Sequence, residues 1–300
     1  MKEKIEEVLN GWNIEAETKQ IYATAWAVGD RYILKAAYDL GNLKRNIAIM
    51  KVLNEYGVPV ASPISTMDGR EYIVDDGVYY LLTNKLQGSH VVDIYERDYF
   101  HIVYETGKIV ARLHEAFLAC EQEITFEDNS LLGEMNGWIC QSLKANNFKY
   151  ISELDFEESL EELKRCYDQL PRQLIHRDIH YGNILFHEDK LSGYIDFDLS
   201  QKNIRIFDLC YFLIGLLIDH EKNKNDVAIW LHIVSRFVQG YEESMPLTPL
   251  EKESICCVMK SIELLFVAYF LDNKDEMLAQ SAANMYYFVR ENEKEIRSYF

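Results

Sequence analysis

The periodicity of apolar residues changes once along the chain, near Gly88, and this change limits the fold class more than any other feature. Before it, β-prone runs alternate with the turn dipeptides Gly29-Asp30, Asp68-Gly69 and Asp76-Gly77, so the first ninety residues read as strands joined by three hairpin turns. Within that sheet Leu43, Ile47, Met50, Leu53 and Tyr56 recur at helical spacing, and Gly57-Val58-Pro59 closes the pattern, which predicts one inserted helix. After Gly88 the spacing turns helical, notably over residues 109–117, 156–170, 207–218, 227–241 and 250–271. Thr248-Pro249-Leu250-Glu251 is a capping box with proline at the first helical position. With no internal repeat, low-complexity tract or Pro/Gly/Ser linker, an α+β chain is predicted, with a sheet-rich lobe over residues 1–88 packed on a helical lobe over 89–300.

The helical part contains one interruption. Ile184-Leu185-Phe186 and Tyr194-Ile195 flank the polar turn His187-Glu188-Asp189-Lys190, as in a short hairpin. Just before it, His176-Arg177-Asp178-Ile179-His180-Tyr181-Gly182-Asn183 sets an aspartate five residues ahead of an asparagine, and Asp196 follows thirteen residues later on the return strand. Phosphoryl transfer needs such a group: a carboxylate to orient the attacking hydroxyl and take its proton, and hard oxygen ligands for magnesium on the nucleotide phosphates. Asp178 suits the first role, and Asn183 and Asp196 the second.

The H-x-D-x-x-x-x-N element followed by Ile195-Asp196-Phe197 resembles the catalytic and metal loops of protein-kinase-like enzymes, most closely the aminoglycoside phosphotransferase and choline kinase branch of small-molecule kinases. The later Phe207-Asp208-Leu209 matches that branch's helix start. The resemblance is strongest from His176 to Leu209 and weaker in the first lobe. It implies a protein-kinase-like two-lobed fold, a small antiparallel-sheet N-lobe with one inserted helix and a mainly helical C-lobe, and transfer of the γ-phosphoryl of ATP, or GTP, to a small-molecule hydroxyl with Mg2+. In that assignment Asp178 is the catalytic base and Asn183 and Asp196 hold the metal. Lys35, closing the run Tyr32-Ile33-Leu34-Lys35, pairs the nucleotide phosphates, while the Asn84 carbonyl and Leu86 amide read the adenine edge. Alternation along the strand sends Lys35 to the face opposite Leu34 and Ala36. His176, His180 and His114 read as structural histidines, Asp208 reads as a buried acceptor for loop amides, and Asp198 is given no role.

Two departures qualify the resemblance. The turn expected to cover the phosphates, near Lys19 to Tyr22, has no glycine, and G-x-G-x-x-G and A-P-E segments are absent, which favours a small-molecule kinase over a protein kinase. Asn46 stands where relatives carry the glutamate that holds the lysine. An amide cannot neutralise Lys35, so either Asn46 adds a neutral hydrogen bond or another acidic side chain replaces the glutamate.

Composition excludes some partners. Forty-nine acidic against 31 basic residues give a formal charge of -18, which repels nucleic acid and anionic membrane surfaces and suits a cationic acceptor. Six scattered cysteines without a C-x-x-C pair, and a charged opening without an apolar signal core, predict a reducing cytoplasm. No transmembrane helix is expected, because residues 255–271 are interrupted by Lys260 and Glu263. Two rivals compete with the kinase reading. One is a metal-dependent hydrolase using His176, Asp178 and His180, and the other a kinase-fold binding protein that has lost catalysis.

Overall fold

Ile5, Val8 and Leu9 stand three and four positions apart, one helical face, and Lys2–Leu9 forms helix α1 with all three buried. The structure, a computed structural model, describes residues 2–91, 94–96, 99–126, 128–188, 190–223 and 227–300. Strands β1 (Thr18–Tyr22), β2 (Ala25–Val28) and β3 (Tyr32–Ala37) follow, then helix α2 (Leu40–Glu55) and strands β4 (Ile73–Asp75) and β5 (Val78–Asn84). Beyond them lie α3 (Tyr99–Glu123), α4 (Leu131–Glu134), α5 (Cys140–Ala145), α6 (Glu153–Cys166) and β6 (Arg172–Ile175). The chain continues through β7 (Ile184–His187), β8 (Lys190–Tyr194), β9 (Gln201–Ile204), α7 (Ile206–Asn223), α8 (Val227–Glu242), α9 (Pro249–Asp272), α10 (Glu276–Glu291) and α11 (Glu293–Arg297). The expected α+β class holds: a small antiparallel sheet with one inserted helix precedes a mainly helical stretch.

These elements gather into two units, the first comprising Met1–Val91, Gln122–Ile124 and Tyr181–Asp198, the second Val92–Glu121, Thr125–His180 and Leu199–Phe300. The β7–β8 hairpin thus groups with the five-stranded sheet, which a single cut after Gly88 does not anticipate.

In the first unit the sheet runs β1-β2-β3-β5-β4, antiparallel throughout. Its inner face packs Trp26, Val28, Leu34, Tyr80 and Leu82 against Ile5, Val8 and Leu9 of α1 and against Trp12, whose indole donates to the Ile64 carbonyl at 2.8 Å. The expectation of strands from the first residue is therefore corrected at α1, where three apolar positions in a charged segment are too few to set a period. Two of the three proposed hairpin turns, at Gly29-Asp30 and Asp76-Gly77, join paired strands. Asp68-Gly69 does not: it is a local turn closed by Thr66, whose hydroxyl accepts from the Arg70 amide at 2.8 Å. Asp39 caps α2, accepting from the Asn42 amide at 2.7 Å, and α2 buries Leu43, Ile47, Met50 and Leu53.

The β7–β8 hairpin is tied into this unit by backbone hydrogen bonds at two places and by Ser192, whose hydroxyl donates to the Gln87 carbonyl at 2.6 Å. The Tyr194 amide donates to the Pro59 carbonyl at 2.9 Å, and Ser89 and Phe186 exchange both backbone hydrogen bonds at 2.9 Å. Between β5 and that second tie lies Gly88, with φ of 110°, where a Cβ would sit 2.5 Å from the Phe186 carbonyl oxygen. Only glycine permits that approach. In the polar hairpin turn, Asp189 lies outside the described residues.

The second unit builds its core from fully buried Phe207, Phe212, Trp230, Phe237 and Tyr241 on α7 and α8. The expected capping box is present: the Thr248 hydroxyl accepts from the Glu251 amide at 3.2 Å, and the Glu251 carboxylate accepts from the Thr248 amide at 2.8 Å. Glu251 also takes a bidentate pair from buried Arg205, at 2.6 and 2.7 Å, so the cap fixes α9 to the segment ahead of α7. By length and composition α9 is apolar enough to cross a membrane, but 78% of its most apolar stretch is buried within the protein, as for a core helix. Of the two interruptions noted in the sequence, Lys260 pairs with Glu162 at 2.6 Å, whereas Glu263 is buried with neither carboxyl oxygen hydrogen-bonded, and burial pushes its carboxyl well above the usual range.

Candidate functional site

The candidate residues fall into two groups, one in each unit. In the first unit Leu34 is wholly buried in the sheet core, and the next residue, Lys35, takes the opposite face, as strand alternation requires. Its ammonium lies 3.2 Å from Asp196 Oδ1. The carboxylate that Lys35 meets thus comes from the loop after β8 and not from α2. Asn46 does not reach Lys35; its amide instead donates a short hydrogen bond to Asp198 Oδ1, the aspartate left without a role in the sequence. Burial pushes the Asp198 carboxyl up, nearby Asp196 adds to the rise, and Lys35 and Asn46 oppose it.

Asp196 adopts φ of 68°, a left-handed conformation uncommon for a side chain with a Cβ and one that recurs at functional loops. Asn183 is buried just ahead of β7, and its carbonyl accepts from the Ile195 amide at 3.1 Å, so the hairpin ladder continues to the residue beside Asp196. Asn84 ends β5: its amide donates to the Ser62 carbonyl at 3.2 Å and its side-chain oxygen accepts from the Ser62 amide at 2.5 Å. Leu86 packs over Gly193, where a Cβ would lie 2.4 Å from Leu86 Cδ1.

In the second unit Asp178 follows β6, a strand that pairs with β9 and was not anticipated from the sequence. The Tyr211 hydroxyl of α7 donates to Asp178 Oδ1 at 2.5 Å, and His180 Nε2 stands 3.7 Å from the same oxygen. Burial pushes the Asp178 carboxyl up, but His180, Tyr211 and the charge of His176 outweigh it and hold the group at about 2. It is an ionised carboxylate at neutral pH. Burial and the adjacent Asp178 keep the Tyr211 phenol protonated and hence a donor.

The loop carrying Asp178 is held from beneath by Asp208. This wholly buried carboxylate accepts from the His176 and Arg177 amides, both at 2.8 Å, and contacts His114 Nε2 at 3.0 Å. His114 Nδ1 meets the Tyr241 hydroxyl at 2.9 Å, so with the proton on Nε2 both ring nitrogens are satisfied. Arg177, at φ of 68°, turns its guanidinium to Glu134 at 2.6 Å. His176 and His114 are core histidines, as the sequence reading had them. Tyr211 and Glu134 were missed, because a single tyrosine or glutamate far along the chain gives no pattern to read.

A magnesium ion fits the donor set in the first unit. Asn183 and Asp196 offer oxygen, the donor type this ion selects, and phosphates usually complete its shell. Asp196 and Asp198 repel each other, and Asn46 Oδ1 is buried without a hydrogen-bond partner, so added positive charge would relieve the cluster. Among the described residues no three His, Cys, Asp or Glu side chains stand together as a metal group, and the hydrolase reading through His176, Asp178 and His180 loses its ligand set.

Residues 14–247 match the phosphotransferase enzyme family. The chain is 28% identical over 204 residues to the homoserine kinase of Neisseria meningitidis serogroup B, an alignment covering 67% of this chain and 62% of that enzyme, so the chain spans less than two thirds of that relative's length. Among solved structures it superposes on an amicoumacin kinase in complex with AMP-PNP, Ca2+ and Ami at a TM-score of 0.69 and 19% identity, covering 99% of this chain and 94% of the other. It also superposes on a microcompartment-associated aminopropanol kinase at 0.70 and 14%, covering 98% of each. At such identities the superpositions speak for the fold, and the fold is that of the kinase-like phosphotransferases. With more than half of its length matched, the chain belongs to the phosphotransferase enzyme family.

Proposed function

We propose that the protein is an ATP-dependent small-molecule kinase, which moves the γ-phosphoryl of ATP, or GTP, to a hydroxyl of a small acceptor such as an amino alcohol, an aminoglycoside-like antibiotic or a related metabolite. The observation that carries this reading is Asp178, an ionised carboxylate with one oxygen fixed by Tyr211, inside the family-matched segment and five residues ahead of Asn183. Asp178 takes the acceptor's hydroxyl proton as its oxygen bonds to the γ-phosphorus, the bond to the bridging oxygen breaks, and ADP leaves. Asn183 and Asp196 would hold magnesium, which when bound neutralises charge on the phosphate oxygens. Lys35 binds the phosphates, exchanging Asp196 for phosphate oxygen, and the Asn84 carbonyl and Leu86 amide read the base.

The formal charge of -18 favours a cationic acceptor, and a neighbour of the same fold is named for aminopropanol. The setting we assign is the cytoplasm, consistent with six free cysteines. An ADP-release screen over hydroxylated amines, sugars and amino acids, with and without magnesium, tests the reading. A magnesium-dependent acceptor bearing an amine is the expected outcome. If no class raised ADP release above the acceptor-free rate, the non-catalytic rival would stand. That rival rests on Asn46 and on the glycine-poor turn near Lys19 to Tyr22; the Lys35 contact with Asp196 speaks against the first ground and leaves the second.

Asp196→Ala is expected to weaken nucleotide binding in magnesium more than in its absence, because the lost carboxylate would contact the ion and not the base. Titrations under both conditions check this. An equal loss in the two would assign Asp196 to holding Lys35 alone.

A further inference from the structure

A row of aromatic rings runs past Asp178. Arg177 lays its guanidinium over the Phe207 ring at 5.8 Å, Phe207 stacks on Tyr211 of the same helix at 6.0 Å, and the Tyr211 hydroxyl donates to Asp178 Oδ1 at 2.5 Å. The row then crosses from α7 to α9. Phe266 lies 5.7 Å from Tyr211, and Phe270 stacks on Phe266 at 5.8 Å, the step of four that puts both rings on one helical face. Tyr269 packs against Phe270 at 5.4 Å. All of these residues belong to the second unit.

Burial falls along the row. Phe207 is 1% exposed, Tyr211, Phe266 and Phe270 are half-buried, and Tyr269 is 52% exposed. A stripe serving the core alone would be covered throughout, whereas the rings beyond Tyr211 keep surface open to solvent, as Asp178 does. Each ring face carries partial negative charge and attracts a cation, which Arg177 already supplies at the inner end. At the open end the charge also favours a cation. Glu263, one turn before Phe266 on the same face of α9, is wholly buried with neither carboxyl oxygen hydrogen-bonded, and the chain as a whole carries -18.

We infer that Phe266 and Phe270 form the subsite for the acceptor's ammonium group, with the acceptor's hydroxyl led past Tyr211 to Asp178. The hydroxyl end rests on the kinase reading; the ammonium end is testable apart from it. The two rings hold the ammonium by its charge and the neighbouring CH2 groups by contact, so the acceptor class is a short amino alcohol. A neutral sugar finds no hydrogen-bonding partner on either ring.

The full chain is titrated without nucleotide, so that turnover plays no part, and ligand-observed NMR compares propylammonium with propanol, its uncharged counterpart of equal size. Expected is saturable binding of propylammonium, about 3–30-fold tighter than that of propanol, the range of cation–π contacts. Phe266→Leu combined with Phe270→Leu keeps apolar bulk but removes both ring faces, and should close the gap to about twofold. Phe266→Tyr should keep it. Should the double variant fail to fold, Phe266→Leu alone must narrow the gap. Equal binding of propylammonium and propanol, no saturable binding of propylammonium, or a gap untouched by loss of the rings would overturn the assignment and leave the kinase reading to the ADP-release screen. If the gap behaves as expected while no acceptor raises ADP release, the cation site stands and the kinase reading fails.

Discussion

Asp178→Asn is expected to lower kcat by about 10²–10⁴ while leaving the KM for ATP within a few-fold, the usual contribution of a general base. The substitution keeps the shape of the side chain and an oxygen that can still accept from the Tyr211 hydroxyl, 2.5 Å from the present Oδ1. What it removes is the negative charge that, in the proposed mechanism, takes the acceptor's proton. The wild-type carboxyl is held at about 2, so it is ionised across the whole working range and weakly basic before substrate arrives. Tyr211→Phe is therefore informative beside it: without the phenol, Asp178 loses one of the groups holding its carboxyl low, and kcat should change far less than in Asp178→Asn. Steady-state kinetics on any acceptor found by ADP release provides the measurement. A kcat for Asp178→Asn within a few-fold of wild type would remove this residue from proton transfer, whatever the folding of the variant.

The parts of the site legible in the sequence are those held together by short chain separation. Asp178 and Asn183 lie five positions apart in the sequence, and Asn183 and Asp196 flank a hairpin whose two-residue alternation and polar turn are local signals. Lys35 could be placed because a strand face is set by its immediate neighbours. Contacts that depend on residues far apart were not legible. The Asn46 amide could have met Lys35 or something else, and only the folded loop shows that it meets Asp198, 152 positions away. Tyr211 reaches Asp178 from 33 positions away on another element, with no motif to announce it. The β6–β9 pair escaped because Arg172–Ile175 and Gln201–Ile204 are four-residue strands, too short for a period to be counted. Helix α10 escaped for another reason: its buried stripe is Ala279, Ala282, Ala283, Met285, Tyr286 and Val289, largely small residues that carry little apolar contrast.

Asp208→Ala is expected to be the most destabilising single change outside the aromatic core, costing about 3–6 kcal/mol. The carboxylate is wholly buried and serves three donors at once, the amides of His176 and Arg177 at 2.8 Å each and His114 Nε2 at 3.0 Å. Alanine leaves all three facing a void that water does not easily reach, and each orphaned donor costs about 1–3 kcal/mol. Against a total stability of about 5–15 kcal/mol for a domain, such a loss lowers Tm by on the order of 10 °C or abolishes soluble expression. Asp208→Asn separates the causes. Its side-chain oxygen can still take one or both loop amides, but its amide nitrogen brings a second donor towards the His114 N–H, so an intermediate loss is expected. Arg177 sits at φ of 68°, a conformation that needs such anchoring, so the exchange rates of the residue 176 and 177 amides should rise in both variants before global unfolding does. Thermal melts together with hydrogen exchange at those two amides make the test. A Tm for Asp208→Ala within about 2 °C of wild type, with both amides still protected, would show that the loop holds its shape by other contacts and that Asp208 does not set the position of Asp178.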